Sequence, residues 1–483
     1  MEAADRALAE RVRAAVKDVI ARHHLPGYAI GVVRGDDLIF AEAFGYADIE
    51  SGEALDPSRR HAIASVTKTM VGLCIMALVD EGKLRLDERV VDLLPEIKFH
   101  GPAETMTVRH LVTHTSGMGE AANREGLRSV ANPDRSGVAG RDFDQLFPDG
   151  IVVEVPPGTK WAYCNIGFGC LGEIVVRREG ASLQDVMHRR IWSRLGMVDT
   201  DVRAQSHPAL TTGYHREQSA DARFQFERAG IEVPEEKAVD GHNIRGVYRG
   251  EFERGMLGAG AVQSTIADMA RYGSALLRRG AGIVKPETFD AMVAPQWAPD
   301  PRLITWGLAF SRLPHFGTPL FGHGGSFLGG WNTFFAVMPQ RNLAVIQFMN
   351  LVYDYSRVVF SPVLSAVLDQ KMEPLPQRRV DPAVLAAAPG RYSCPMPGNL
   401  TNFRPANVTG RIEIVADGDG LVLRSRWGAW KDGVPLDPCD DNDATFFALQ
   451  AKDIGRAYIA LTREPDGSIS GLRFDELVRM VRD

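Results

Sequence analysis

A serine and a lysine stand three residues apart in IASVTKTM, the segment of residues 63–70. On a helix, positions i and i+3 share a face, so the side chains of Ser65 and Lys68 can meet. A serine hydroxyl is a weak nucleophile until a neighbouring base takes its proton. A lysine serves as that base where burial lowers its pKa from about 10.4, and the apolar run VGLCIMALV after Lys68 favours burial. The spacing indicates a nucleophile with its base, although chance gives on the order of one such pair in a chain of this length.

A tyrosine and an asparagine form a second candidate pair in GTKWAYCNIGFGCLG, just before a helical stretch. The phenol of Tyr163 can relay a proton to a leaving group, and the amide of Asn165 can hold a substrate carbonyl or Lys68. The alternative is that Asn165 caps the helix and Tyr163 packs beside it.

A histidine followed by glycines forms a third group in PLFGHGGSFLGGW, which has the character of a strand. Gly324 and Gly325 leave room for a substrate backbone beside His323. Alternatively, His323 is a hydrogen-bonded residue at the end of a strand. A second match begins at His315, but the bulk of Phe316 would crowd a substrate there.

The elements that must position these residues are strands near both ends of the region and helices between them. Residues 3–23 have apolar positions at helical spacing, and YAIGVV with LIFAEAFGYAD predicts a β-hairpin. Strand-like segments return over residues 304–349, and mainly helical segments lie between the hairpin and these strands. We therefore expect one sheet assembled from both ends of residues 1–370. Two polar segments, 119–145 and 215–256, are expected to be loops that wall or cover a site.

The last quarter of the chain differs in pattern from the rest. Residues 373–389 are rich in proline and charge and predict a linker between a domain of residues 1–372 and one of residues 390–483. The short strands and DG turns beyond residue 390 predict a small antiparallel sandwich or barrel.

Composition excludes several classes of function. The net charge of −6 leaves no basic excess for a nucleic-acid partner, and no apolar run approaches the length of a membrane span. The charged N-terminus lacks the pattern of a signal peptide, so a cytoplasmic setting is the expectation. Five scattered cysteines do not predict disulfides or a metal site, and His23, His24 and His110 lack partners at ligand spacing. His114, in VTHTSGM, is interpreted as a structural residue that holds its loop.

The three motifs in this order resemble the serine β-lactamase and penicillin-binding protein superfamily. The closest resemblance is to its class C-like branch of carboxypeptidases, D-aminopeptidases and β-lactamase-like esterases, supported by LVTHTSGM, PGTKWAYCN and GAGAVQST. The resemblance implies an α+β fold, in which an antiparallel sheet is packed by helices and joined to a mainly helical subdomain. The tail resembles the small lipocalin-like antiparallel β domains of some members.

The resemblance also implies roles for the motif residues. Ser65 is implied as the acylated nucleophile, Lys68 as its base and Tyr163 as the proton relay. Asn165 would orient the substrate, and His323, with Gly324 and Gly325 beside it, would take the place of a cation. The implied oxyanion hole consists of the backbone N–H groups of Ser65 and Ser326. No metal or organic cofactor is implied.

The resemblance leaves the substrate open among several hypotheses. Gly324 stands where many relatives have a hydroxyl residue that helps to bind a carboxylate, which disfavours carboxypeptidase and β-lactamase activity. A peptidase or amidase acting on a small molecule or a peptide, including D-configured or cyclic-derived peptides, is the leading hypothesis. A carboxylesterase is the alternative, and a non-catalytic scaffold or ligand sensor is the rival from another class. A homo-oligomer is compatible with the sequence.

Overall fold

The structure, a computed structural model, forms two compact units. The first comprises Met1–Trp297 and Trp306–Gln370, and the second comprises Ala298–Thr305 and Lys371–Asp483. The described residues are 3–119, 123, 142–202, 209–216, 238–239, 243–245, 254–314, 318–327, 330–352, 357–370, 378–394, 411–425, 430–451, 455–474 and 479–483. Most of the two expected loop segments, and the second histidine match at 315–317, lie outside the described residues. The domain boundaries at 372 and 390 stay a prediction.

An eight-stranded sheet forms the centre of the first unit, and both ends of the unit supply its strands. The strand Gly27–Arg34 pairs antiparallel with Leu343–Met349, so that Val32 lies opposite Val345. This pairing confirms the prediction of one sheet assembled from both ends. In sheet order, the strands are Thr305–Trp306, Ser311–Leu313, Leu320–Phe327, Trp331–Met338, Leu343–Met349, Gly27–Arg34, Asp37–Asp48 and Glu53–Ala54.

Both faces of this sheet are covered by apolar side chains. Successive residues of a strand point to opposite faces. Ile30 and Val32 accordingly belong to one core with Val12 of the first helix, whereas Ala29 and Val33 belong to the other core. The continuous apolar run YAIGVV is the sequence signature of a strand buried on both faces.

Helices supply the two covering layers and the mainly helical subdomain. The predicted helix over residues 3–23 is confirmed as Ala3–His23. Among the described residues, the first unit also contains the helices Thr67–Asp80, Val90–Leu93, Val108–Val112, Phe143–Leu146, Asn165–Glu179, Leu183–Met187, Ser193–Leu195, Leu257–Gly260, Ile266–Leu277, Pro286–Val293 and Arg357–Leu368, with a π-helical turn at His188–Trp192 and 3-10 turns at Ala64–Val66, Ala103–Thr105, Arg254–Met256 and Pro339–Arg341.

The helix Thr67–Asp80 is buried on every side, from Thr67 through Leu78. A helix that is apolar all round belongs in a protein interior, and Lys68 is the one charged side chain among these buried positions. The same helix places Cys74 in the core, where burial raises the pKa of the thiol to about 12. Cys74, Cys170 and Cys439 carry free thiols.

Short strand pairs complete the first unit. The strand His61–Ala62 pairs with Val262–Ser264, with Ala62 opposite Gln263. This pairing brings the residues before Ser65 next to the segment GAGAVQST. Other short strands in the described parts of this unit are Phe99–His100, Ile151–Val152, Asp201–Val202, Tyr214–Arg216, Ala238–Val239, Asn243–Arg245 and Leu351–Val352.

The second unit is a closed antiparallel barrel, which confirms the small β domain predicted for the tail. Its strands are Gly390–Ser393, Arg411–Asp417, Gly420–Ser425, Val434–Pro438, Phe446–Ala451, Gly455–Arg463, Ile469–Phe474 and Arg479–Arg482, and the helix Pro382–Ala387 precedes them within the segment expected to be a linker.

A segment from the middle of the sequence, Ala298–Thr305, belongs to this second unit. Its Arg302 donates hydrogen bonds to Asp443 at 2.6 Å and to Asp440 at 3.2 Å. Its Leu303 is buried in a cluster with Phe446. The barrel unit is therefore built from two separate stretches of the chain.

Candidate active site

Ser65 lies in the 3-10 turn Ala64–Val66, which leads directly into the helix Thr67–Asp80. Ser65 is partly exposed, whereas Lys68 is fully buried. Ala64 has a φ of 49°, in the left-handed region that costs an L-residue about 1–2 kcal/mol. The candidate nucleophile thus follows a strained residue and lies at the border between interior and solvent.

We expect the strain at Ala64 to appear as a difference between two glycine variants. Ala64→Gly and Ala77→Gly each remove one buried methyl group, but Ala77 lies inside a helix and has no positive φ. Glycine adopts a positive φ without steric cost, so the free energy of unfolding of Ala64→Gly should exceed that of Ala77→Gly by at least about 1–2 kcal/mol. Denaturant unfolding measures both values. Equal destabilisation of the two variants would argue against stored strain.

Lys68 Nζ hydrogen-bonds to three oxygen atoms. They are Ser65 Oγ at 3.0 Å, Asn165 Oδ1 at 2.7 Å and the backbone carbonyl of Ala259. Carbonyl oxygens only accept, so Asn165 and Ala259 each take one N–H of Lys68. The remaining tetrahedral position on Nζ faces Ser65. An ammonium would donate a hydrogen bond to Oγ from this position, whereas a neutral amine would direct its lone pair at the hydroxyl.

Tyr163 and Asn165 reach this cluster from the start of the helix Asn165–Glu179. The helix is capped by Cys164, whose Sγ accepts the N–H of Gly167. The alternative of a capping Asn165 is therefore wrong, and its amide oxygen accepts from Lys68 instead. The ring centre of Tyr163 lies 5.0 Å from Lys68 Nζ. The structure brings the first two motifs together.

His323 lies on the strand Leu320–Phe327 and is 4% exposed. Its Nδ1 hydrogen-bonds to the carbonyl of Gly324, which only accepts, so Nδ1 carries a proton. Burial, together with the charge of Lys68, lowers the pKa of His323 to about 3. The ring is therefore uncharged near neutral pH. The ring centre of His323 lies 6.1 Å from that of Tyr163. His323 thus occupies the place that the resemblance assigns to a cation, but it carries no positive charge there.

The glycines beside His323 have different surroundings. A Cβ on Gly324 would have nothing within 4 Å, so this position faces open space. A Cβ on Gly325 would lie 2.3 Å from the backbone oxygen of Ile63. Only a residue without a side chain allows the strand to approach the turn of Ser65 this closely. Ser326 follows on the same strand and is exposed. The assignment of its N–H and that of Ser65 to an oxyanion hole stays a prediction.

An aromatic cluster that the motifs did not indicate surrounds Tyr163. The ring centre of Tyr163 lies 4.3 Å from that of His114, 6.2 Å from that of Trp306 and 6.4 Å from that of Trp161. The other contact that sequence analysis missed is the Ala259 carbonyl. Its segment, GAGAVQST, carried a signal only through family resemblance, and Trp306 had none.

Two further properties of the described residues bear on the class of site. Within these parts of the chain, no three His, Cys, Asp or Glu side chains lie together in a way that could hold a metal ion. Across the same residues, every helix is too short or too polar to cross a lipid bilayer.

Comparisons with known proteins were made for both sequence and structure. Esterase EstB of Burkholderia gladioli is 32% identical over 238 residues, which cover 47% of this chain and 59% of the esterase. The octameric penicillin-binding protein homologue of Pyrococcus abyssi has a TM-score of 0.60 and 22% identity and covers 98% of this chain and 99% of its own. The D-amino acid amidase of Ochrobactrum anthropi in complex with L-phenylalanine amide has a TM-score of 0.58 and 21% identity and covers 75% of this chain and 99% of its own.

The two solved structures confirm the expected fold, and the family comparison identifies the chain. The sequence profile described as Beta-lactamase matches residues 12–366, a range that contains Ser65, Lys68, Tyr163 and His323. Since this match covers well over half of the 483 residues, the resemblance drawn from the motifs is confirmed, and the protein belongs to the Beta-lactamase family.

Proposed function

We propose that the protein is a serine hydrolase that cleaves an amide, peptide or ester bond through an acyl-enzyme intermediate on Ser65. The observation that carries this proposal is the position of Lys68 Nζ, 3.0 Å from Ser65 Oγ and fixed by two acceptor oxygens. A hydroxyl with a buried amine in this contact fits nucleophilic catalysis with an adjacent base.

In the first step, neutral Lys68 takes the proton of the Ser65 hydroxyl while Oγ bonds to the acyl carbon of the substrate. The acceptors Asn165 Oδ1 and the Ala259 carbonyl occupy both N–H groups of a neutral amine, so its lone pair is directed at the hydroxyl. The oxyanion that forms on the substrate is assigned to the backbone N–H groups of Ser65 and Ser326, which are worth about 3 kcal/mol each if well aimed.

In the second step, Tyr163 passes a proton to the leaving group, and the protonated Lys68 replaces it. The nearness of Lys68 Nζ to the Tyr163 ring supports this relay. Expulsion of an amine needs such a proton, because an amide anion is a very poor leaving group. Water then hydrolyses the ester on Ser65 and restores the hydroxyl.

Two features favour acyl groups without a carboxylate. His323 is neutral, and Gly324 offers open space rather than a hydroxyl. These features weaken a carboxypeptidase assignment. A peptidase or amidase is the leading assignment, including action on D-configured or cyclic-derived peptides, and the fold shared with a D-amino acid amidase is in keeping with it. A carboxylesterase is the second candidate, and the 32% identity to an esterase favours it. A non-catalytic scaffold or sensor is disfavoured, because all the motif polar groups are present.

The choice between amide and ester is tested with matched chromogenic substrates. We expect D- or L-aminoacyl p-nitroanilides to be hydrolysed along with p-nitrophenyl esters of the same acyl groups. The initial rates of release of p-nitroaniline and p-nitrophenol, followed by absorbance, would measure the two activities, with the uncatalysed rate subtracted. If the esters are hydrolysed efficiently and the anilides are not, the amidase assignment is wrong and the protein is a carboxylesterase. If the protein hydrolyses neither substrate and does not react with a fluorophosphonate, the non-catalytic scaffold hypothesis would be favoured.

We also propose that the chain forms a homo-oligomer. The octameric state named for the Pyrococcus abyssi homologue, which aligns over nearly the whole chain, supports this. A solution molar mass by light scattering equal to the monomer mass of 52.9 kDa would refute it.

A further inference from the structure

His114 makes three contacts with the backbone and side chain of residues 162–164. Its carbonyl oxygen accepts the N–H of Ala162 at 2.8 Å, and its Nδ1 accepts the N–H of Cys164 at 3.0 Å. Between these two bonds, the imidazole stacks on the phenol of Tyr163 with 4.3 Å between ring centres and 29° between ring planes. One residue thus contacts the backbone N–H groups of both neighbours of Tyr163 and one face of its ring.

The conformation of His114 is itself unusual. It has a φ of 58°, in the left-handed region that few non-glycine residues adopt, although histidine, like asparagine and aspartate, adopts it more often than most. The residue is 1% exposed. A strained, buried residue persists only where the surrounding structure fixes it, and such residues cluster at functional sites.

The protonation of His114 is set by its contacts. Because Nδ1 accepts a hydrogen bond from Cys164, the proton of a neutral ring must lie on Nε2. Burial is the main cause that lowers the pKa of His114 well below its usual value, and the nearness of the Lys68 and His323 side chains adds to it. The ring therefore packs on the phenol as an uncharged partner and adds no positive charge beside Lys68.

We propose that His114 is a positioning residue that fixes the phenol of Tyr163 for proton transfer to the leaving group. This inference rests on the relay assigned to Tyr163 in the proposed function. It goes beyond the interpretation of His114 as a loop-holding residue, because it makes the rate of one chemical step depend on the imidazole.

The proposal predicts a loss that depends on the leaving group. A p-nitroanilide must leave as a protonated amine, whereas p-nitrophenolate leaves as an anion without a proton from the enzyme. A phenol out of place would slow the first reaction and spare the second. A general loosening of the fold would slow both alike.

The experiment compares kcat/KM for an anilide and an ester of the same acyl group. His114→Asn keeps a side-chain acceptor and tolerates the positive φ, whereas His114→Leu removes the acceptor. We expect anilide kcat/KM to fall about 10-fold in His114→Asn and about 100-fold in His114→Leu and Tyr163→Phe, with ester values within about 3-fold of wild type. The double variant His114→Leu/Tyr163→Phe should be no worse than Tyr163→Phe alone, because both changes remove one function.

The matched control is His110→Asn. His110 also accepts a backbone N–H through Nδ1, from Thr107 at 3.1 Å, but lies outside the aromatic cluster around Tyr163. Its anilide-to-ester ratio should equal that of wild type. Equal loss of both activities in the His114 variants, or multiplicative loss in the double variant, would overturn the proposal. If Tyr163→Phe itself leaves the ratio unchanged, the relay in the proposed function is wrong. If His114→Leu does not fold, His114→Asn with Tyr163→Phe completes the same cycle.

Discussion

Replacing Ser65 by alanine should remove turnover of every substrate that the wild-type protein cleaves. The expected fall in kcat is on the order of 10⁴- to 10⁶-fold, because loss of the nucleophile leaves only binding and the oxyanion donors to assist water. The same variant should lose covalent labelling by a fluorophosphonate. Intact-mass measurement reads this directly as one adduct on the wild-type chain and none on Ser65→Ala.

A serine nearby provides the control for this experiment. Ser58 is exposed and hydrogen-bonds to Asp56 in a turn that precedes the site. Ser58→Ala should keep both turnover and labelling within about 2-fold of wild type, as surface substitutions generally do. Labelling that persists in Ser65→Ala would place the nucleophile elsewhere and remove the basis of the proposed mechanism.

Lys68→Arg and Lys68→Met should both be nearly inactive, for different reasons. An arginine keeps a positive charge but cannot give up a proton in a protein, so it cannot act as a base. A methionine fits the apolar surroundings but leaves Asn165 Oδ1 and the Ala259 carbonyl without the donor that they share. We expect kcat/KM to fall at least about 10³-fold in both variants, toward the upper end of the range for general-base catalysis.

The substrate pattern separates Lys68 from the tyrosine relay. Attack of Ser65 Oγ on the acyl carbon precedes loss of the leaving group and is common to esters and anilides, so both Lys68 variants should lose the two activities together. Lys83→Arg is the control, because Lys83 is half exposed and pairs with Glu81 at the surface. An active Lys68→Arg variant would mean that Lys68 acts through its charge and that another group takes the serine proton.

The helical spacing of Ser65 and Lys68 could be predicted because it is a local property of the chain. An i, i+3 pair meets on any helix, and the apolar run after Lys68 indicates a buried one. The contact of Lys68 with Asn165 spans 97 positions; amide chemistry allowed it as one of two options, but local spacing could not establish it. The pattern of strands was likewise readable because burial on both faces leaves an uninterrupted apolar run.

The charge of His323 could not be predicted from its position in the motif. Its pKa depends on how deeply the strand is buried and on the distance to Lys68, and both are set by the tertiary structure. The role of Cys164 as a helix cap was hidden for a similar reason, since cysteine is an unusual capping residue. The positive φ of Ala64 and of His114 left no mark on residue type, because neither is glycine.

The two-part origin of the barrel unit affects any attempt to transplant it. A chimera that carries residues 371–483 alone would lack Leu303, and Phe446 would lose a buried neighbour. It would also lack Arg302, the counter-ion of Asp440 and Asp443, so these two carboxylates would repel each other without compensation. Grafts onto a foreign hydrolase should therefore bring residues 298–305 along as a tethered peptide, or replace those carboxylates by amides.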